Sequence, residues 1–255
     1  MKPSNVLTRF SNRVDDYVKY RPGYPPEVLQ ALAERCGLSS NSVIADIGSG
    51  PGNLARLFLE NRNEVFAVEP NAEMRNAGQQ LLGHYRQYHS VDGSAEDTHL
   101  TSSSAAFITA AQSFHWFDWP RAKVEFGRIL QPGGWVVLLW NDRRYESSPF
   151  QQDYEELLLE YGTDYGQVKT QGRAAVDAIA EFFSGSFEKV TLDSSQFFDF
   201  SSLKGRLLSA SYAPKPDRPN HALMLDELER IFRKHANNAL VAFEYDTNMY
   251  FGQLE

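Results

Sequence analysis

The chain has 255 residues, enough for one large domain with a substantial core or for a core domain carrying a smaller addition. Its 42% hydrophobic and 23% charged residues form an ordinary globular balance, which excludes wholesale disorder. The formal net charge of -8 provides no general basic field for phosphates, so no nucleic-acid partner is expected.

The opening "MKPSNVLTRFSNRVDD" lacks the apolar centre of a secretory signal, and no apolar run reaches the roughly 18 residues of a membrane span; the expectation is a cytoplasmic protein with no membrane partner. Cys36 is the only cysteine, and His84, His89, His99, His115, His221 and His235 are scattered, so neither an internal disulfide nor a metal site is expected. "SVIADIG" reads as a first buried strand. After it, Leu54, Leu57 and Phe58 fall at i, i+3 and i+4, the stripe of a helix packed on a sheet. "EVFAVEP" is the second strand, and Met74, Ala77 and Leu81 continue with helical spacing. "YRQYHSV" and "AAFITAAQ" follow as strands, "RAKVEFGRIL" as a helix and "GWVVLLWN" as a fifth strand. Between the last two, "LQPGG" ends the helix through the missing donor of Pro132 and positive φ at Gly133 and Gly134.

The remainder changes character. "FQQDYEELLLEYG" is amphipathic, "AAVDAIAEFF" helical, "SSLKGRLLSASYAPKPDRPN" a helix running into a proline-rich loop, and "HALMLDELERIFRKH" a further helix. "ALVAFEYDTNMYFGQL" alternates as an edge or penultimate strand, with Val241, Phe243, Tyr245, Thr247 and Met249 on one side, and is expected to pair with "FEKVTLDSSQFFDF". The pattern predicts an α/β fold with a doubly wound, mostly parallel seven-stranded sheet, a carboxyl-terminal antiparallel strand and a helical substrate-side insertion. Three parts are expected: an amino-terminal segment (1–40), a core of alternating strands and helices (41–142), and a helical region with the last two strands (143–255).

Gly48, Gly50 and Gly52 stand between the first strand and its helix, and Glu69 closes the second strand. Gly50, Gly52 and Ala55 also satisfy a relaxed dinucleotide fingerprint. A dinucleotide brings a pyrophosphate to the glycine turn, and Asp46, two residues before Gly48, opposes a bound anion there. S-adenosylmethionine, with a positive sulfonium and amino group, suits Asp46 better. Glu69 can accept ribose hydroxyls from either cofactor type.

These residues resemble the class I S-adenosylmethionine-dependent methyltransferases, in the small-molecule branch that includes trans-aconitate methyltransferase-like proteins. The resemblance runs through "YRPGYP", "DIGSGPG", "VEPNAEMR", "GSAED", "AAQSFHWFD", "LQPGGWVVLLWN" and "SYAP". It departs at Ala106, where many relatives begin the fourth strand with an aspartate. The resemblance implies that Asp46, Gly48, Gly50 and Gly52 floor the methionine side, that Glu69 clamps the ribose, and that Pro70 and Met74 flank the adenine. It places Ala95 and Glu96 at the adenine's polar edge and Gln112 at the close of the pocket. Met74 equally fits the apolar stripe of its helix. Tyr17, Tyr20, Arg21 and Tyr24 lie where the family folds a segment over the cofactor; Arg21 either pairs with the methionine carboxylate or anchors that segment with the tyrosines.

Methyl transfer from a sulfonium is an in-line displacement, so alignment and dryness matter more than a strong base. A carboxylate acceptor loses no proton, whereas a hydroxyl or amine needs a base. His115, after the fourth strand, is the candidate for that role and for contacting substrate; packing beside Trp116 and Phe117 is the alternative. Trp116 and Trp140 are candidate aromatic walls, and Arg143, with Arg144, Lys215 and Arg218, points to an anionic acceptor such as a carboxylic acid. Tyr212 is a candidate lid contact. The expected activity is methyl transfer to a small molecule, favouring O-methylation of a carboxylic acid, by a monomer or homodimer. An N- or C-methyltransferase, a nicotinamide-dependent oxidoreductase and a non-catalytic cofactor-binding protein stand as alternatives.

Overall fold

Short apolar runs separated by amphipathic helices leave each strand to be covered on both faces, and the chain builds one sheet that meets this demand. The computed structural model describes residues 18–254. In chain order these form α1 (Glu27–Cys36), β1 (Val43–Ile47), α2 (Asn53–Glu60), β2 (Glu64–Val68), α3 (Ala72–Leu82), β3 (Tyr88–Val91) and β4 (Ala105–Ala111). Then come α4 (Trp119–Ile129), β5 (Leu130–Arg143), α5 (Pro149–Tyr161), α6 (Tyr165–Phe182), β6 (Glu188–Phe198), α7 (Phe200–Leu208), α8 (Asn220–His235) and β7 (Val241–Gly252).

The seven strands lie in the order β3-β2-β1-β4-β5-β7-β6. The first five are parallel, and β7 runs antiparallel between β5 and β6. The carboxyl-terminal strand is therefore penultimate and pairs with the predicted partner. The order reverses beside β1, and ligands of open α/β sheets lie at the carboxyl ends of the strands at such a switch point.

Alternation along the strands divides the core. Ile108, Val136 and Leu138 pack against Ala122, Phe126 and Ile129 of α4 and Ile179 and Phe182 of α6. Phe107, Val137 and Leu139 point the other way, onto Val28 and Leu32 of α1 and Leu54 and Phe58 of α2. A third cluster unites Tyr154 and Leu158 of α5, Leu203 and Leu207 of α7, and Leu228 and Ile231 of α8 with Val241, Phe243 and Tyr245 of β7. The helical cap thus draws on two connections, one after β5 and one between β6 and β7, while α6 joins the helices covering the sheet. No helix of the described residues is long and apolar enough to cross a membrane.

One turn differs from expectation. Helix α4 stops at Ile129, but "LQPGG" lies within β5 as an irregularity in its pairing with β4. Gly133 has φ 76°, whereas Gly134 is absent from the left-handed region. A Cβ on Gly134 would stand 2.9 Å from the carbonyl oxygen of Ala106. Close approach of strand β4, rather than handedness, requires that glycine.

Candidate functional site

At the carboxyl end of β1 the backbone turns back over β2: the amides of Gly48 and Ser49 both donate to the carbonyl of Val68, at 2.8 and 3.2 Å. Gly48, at φ 65°, lies against the loop after β4, where an added Cβ would be 2.7 Å from Ser113 Cβ. That loop is tied to β1 by Ser113 Oγ, which donates to the Ile47 carbonyl at 2.9 Å. It carries a short 3-10 turn, Phe114–Trp116, in which the His115 ring lies 4.5 Å from that of Trp116. Gly50 is the exception in this crowded turn. At φ 56° its missing Cβ would point into open space, leaving a cradle of backbone beside Glu69.

Glu69 is buried and preorganised by the backbone. Its Oε2 accepts from the Gly50 amide and its Oε1 from the Asn71 amide, each at 2.9 Å. Burial raises its pKa against the lowering effect of these two bonds. Two acceptors so engaged still leave lone pairs for ribose hydroxyls. Asn71 caps α3 by accepting from the Met74 amide at 2.9 Å, which fixes buried Met74 next to this corner; Pro70 is exposed.

Asp46 lies beneath the loop, 1% exposed, with Oδ1 accepting from Thr109 Oγ1 at 2.9 Å and Oδ2 without a hydrogen-bond partner. Burial, helped by the nearby Glu69 carboxylate, pushes it up to about 7, with the Thr109 bond opposing. Ala95 is buried beside Val68 and Phe114 in the core, and Glu96 accepts from the Asp118 amide at 2.8 Å. Gln112, with φ 56°, donates from Nε2 to the Asn141 carbonyl at 3.1 Å and so joins the ends of β4 and β5.

The segment before α1 crosses above these ends. Asn53 Nδ2 donates to the Pro22 carbonyl at 3.4 Å and Asn141 Nδ2 to the Gly23 carbonyl at 3.0 Å. Arg21 Nη2 donates to the Ser209 carbonyl at 3.2 Å, joining the segment to the cap. Tyr17 lies outside the described residues.

The structure groups the expected residues differently at the substrate side. Trp140 is 4% exposed and belongs to the core, edge-on to Phe114 and Tyr250, with ring centroids 6.1 and 5.8 Å away. Arg143 turns into the cap and pairs with Glu155, its guanidinium 4.9 Å from the centre of the Tyr154 ring. Tyr165 donates to the same carboxylate at 2.6 Å, and its ring meets Tyr212 at 4.9 Å. Arg144 pairs with Asp193 and Asp246, and Lys215 and Arg218 are exposed.

Sequence reasoning missed Asn71, Asn141, Glu155 and Arg206. Asn71 had a legible signal, a capping residue directly after the second strand. Arg206 had one too, a charge on the apolar stripe shared by Leu203 and Leu207.

The residues fit the expected cofactor. The Gly50 cradle leaves room beside a buried carboxylate, and the second buried acid, Asp46, when ionised favours a positive rather than a phosphate-bearing ligand.

Comparison with known proteins agrees. A methyltransferase domain family matches residues 45–138, from within β1 into β5. An uncharacterized methyltransferase of Mycobacterium tuberculosis is 34% identical over 134 residues, which are 52% of this chain and 52% of that protein. The chain thus spans about half the length of this relative. Among solved structures, a protein of Anaeromyxobacter dehalogenans, provisionally called a type II methyltransferase, superposes with a TM-score of 0.68 at 18% identity, covering 92% of this chain and 98% of that one. A phosphoethanolamine N-methyltransferase of Haemonchus contortus, in complex with S-adenosylhomocysteine, superposes at 0.53 with 12% identity, covering 99% of this chain and 59% of that one. Residues 45–138 thus match a methyltransferase domain family, and the strand order with its glycine turn and the acid closing β2 gives the chain the fold of these solved methyltransferase structures.

Proposed function

We propose that the protein transfers a methyl group from S-adenosylmethionine to a small-molecule acceptor, with a carboxylic acid oxygen as the methylated atom. The observation that carries the cofactor reading is the open left-handed turn at Gly50, held by its own amide to the buried carboxylate of Glu69. The complex of the Haemonchus contortus enzyme with S-adenosylhomocysteine supports the same cofactor class.

In this reading Glu69 accepts from the ribose, Met74 and Pro70 flank the base, Ala95 and Glu96 border its polar edge, and the loop of Gly48 to Gly52 receives the amino-acid end. The cofactor supplies an electrophilic methyl group. The protein positions the acceptor oxygen and keeps water out, the latter through the segment 20–24 laid across the strand ends. A carboxylate acceptor asks for no proton transfer, which agrees with a His115 whose ring packs on Trp116.

Calorimetric titration with S-adenosylmethionine and S-adenosylhomocysteine, beside reduced nicotinamide cofactors, tests the proposal in wild type and Glu69→Ala. The sulfur nucleosides are expected to bind, at least tenfold more weakly in the variant, and an acceptor screen then begins with carboxylic acids. Preference for a dinucleotide, or no binding of either nucleoside, refutes the reading.

A further inference from the structure

Arg206 lies on α7, three residues after Leu203 and one before Leu207, so its helix carries it into the apolar interior of the cap. It is 8% exposed, and its Nε has no hydrogen-bond partner. Among the described residues no carboxylate forms an ion pair with it. Its guanidinium stands 5.9 Å from the centre of the Phe243 ring, and its electrostatic neighbours are the phenols of Tyr245, Tyr212 and Tyr154.

The contrast with Arg143 is informative because both guanidinium groups approach the same Phe243 ring, Arg143 at 5.8 Å. Arg143 is neutralised by Glu155, and Lys169 and Tyr165 complete that carboxylate's partners. Arg206 has no such carboxylate among the described residues. A buried charge without a counter-ion is costly, and an arginine that meets aromatic rings and a neutral phenol oxygen, that of Tyr245, instead of acids is built to receive an oxyanion.

Its location ties it to the cofactor side. Gly205, the residue before it, accepts the ring of Tyr20 so closely that a Cβ would lie 2.0 Å away. Ser209, three residues on, receives Arg21. The segment from Tyr20 to Gly23 then passes to Asn53 at the glycine turn and to Asn141 on β5. One strap therefore roofs both the helix that bears Arg206 and the strand ends.

Resting on the methyl-transfer reading, we propose that Arg206 anchors an acidic group of the acceptor, a carboxylate or a phosphate monoester, within the ring of Tyr154, Tyr212, Tyr245 and Phe243. The role is substrate recognition. Arg206 selects anionic acceptors and orients them toward the strand ends.

The test uses the full chain saturated with S-adenosylhomocysteine and titrated calorimetrically with mono-, di- and tricarboxylates, inorganic phosphate, phosphate monoesters and the amide counterparts of the acids. At least one anion arm is expected to bind wild type and its neutral counterpart to fail; whichever arm binds separates carboxylate from phosphate recognition. Arg206→Met is expected to weaken that anion at least tenfold while S-adenosylhomocysteine affinity stays within twofold, and Arg206→Lys to fall between. In ligand-free urea unfolding the methionine variant should have a midpoint no lower than wild type, because it removes an unbalanced charge. Unchanged anion affinity in Arg206→Met, or no anion binding to wild type, overturns the proposal. Should the methionine variant fail to fold, Arg206→Lys decides, its unchanged affinity counting against the anchor. Failure of S-adenosylhomocysteine to bind sinks the cofactor reading instead, and the anion titration repeated without it still judges Arg206.

Discussion

Asp46 offers a direct test of the electrostatics under the glycine turn. Buried at 1% exposure, it holds its proton up to about 7, against 3.8 for the free carboxyl. Between those values the native protein carries a proton that the unfolded chain has released, so unfolding liberates it and stability falls as pH rises. The slope is about 1.4 kcal/mol lost per pH unit, amounting to about 4 kcal/mol across the window. Below pH 3.8 and above about 7 this group contributes no further slope.

Asp46→Asn preserves the shape and the acceptor for Thr109 but cannot titrate. Urea unfolding of both proteins, followed by far-ultraviolet circular dichroism from pH 4.5 to 8.5, cancels the other ionisations in the difference. Wild type is expected to lose stability relative to Asp46→Asn up to about pH 7 and then run parallel to it. Saturating S-adenosylmethionine should move the break to lower pH, since a nearby cation favours the carboxylate. A difference that is flat over the whole range, or that grows in favour of wild type with pH, refutes the reasoning: Asp46 would then be ionised throughout.

Gly50→Ala places its methyl in open space at φ 56°, so melting should drop only slightly, by the equivalent of about 1 to 2 kcal/mol, while cofactor affinity measured by calorimetry falls at least tenfold. Gly52→Ala acts mainly on stability, because its Cβ would be 2.3 Å from Leu82 Cδ1; its melting temperature should fall further than that of Gly50→Ala. Glu125 accepts from the Thr98 amide at 2.9 Å and from Arg128 Nε at 2.7 Å, and Arg128 first, with Thr98, holds it down to about 2 despite burial. Its stabilisation is present above pH 4.5 and is lost as pH falls toward 2, so Glu125→Gln should lower urea stability by about 2 to 4 kcal/mol at pH 7, with a shrinking gap on acidification.

The sheet was legible because each strand advertises itself locally. "SVIADIG" and "EVFAVEP" are apolar runs ending in a glycine turn and an acid, and β7 alternates with period two over Val241, Phe243 and Tyr245. Glu69 and Gly50 were legible for a related reason: their spacing follows from the strand, turn and helix between them. The substrate side was not, because its geometry depends on pairings between residues distant in sequence. Arg143 finds Glu155 only after α5 folds back, and Trp140 meets Phe114 and Tyr250 only in the assembled core. A charge or an aromatic ring at a strand end has the same local signature whether it faces a ligand or a neighbour.

Three buried charged groups show what distinguishes those cases. Arg143 and Arg206 approach one phenylalanine ring, yet a carboxylate from α5 satisfies the first and none reaches the second. Asp46 has no cation for partner, only neutral donors such as the Thr109 hydroxyl, and responds by keeping its proton. A carboxyl can escape the cost of burial in this way because its neutral form lies within reach of ordinary pH, whereas a guanidinium, with a pKa above about 12, cannot. An arginine left without a counter-ion inside the cap therefore draws an anion from outside the protein or bears the full cost of its charge, and its helix α7 is joined by the segment 20–23 to the strand ends.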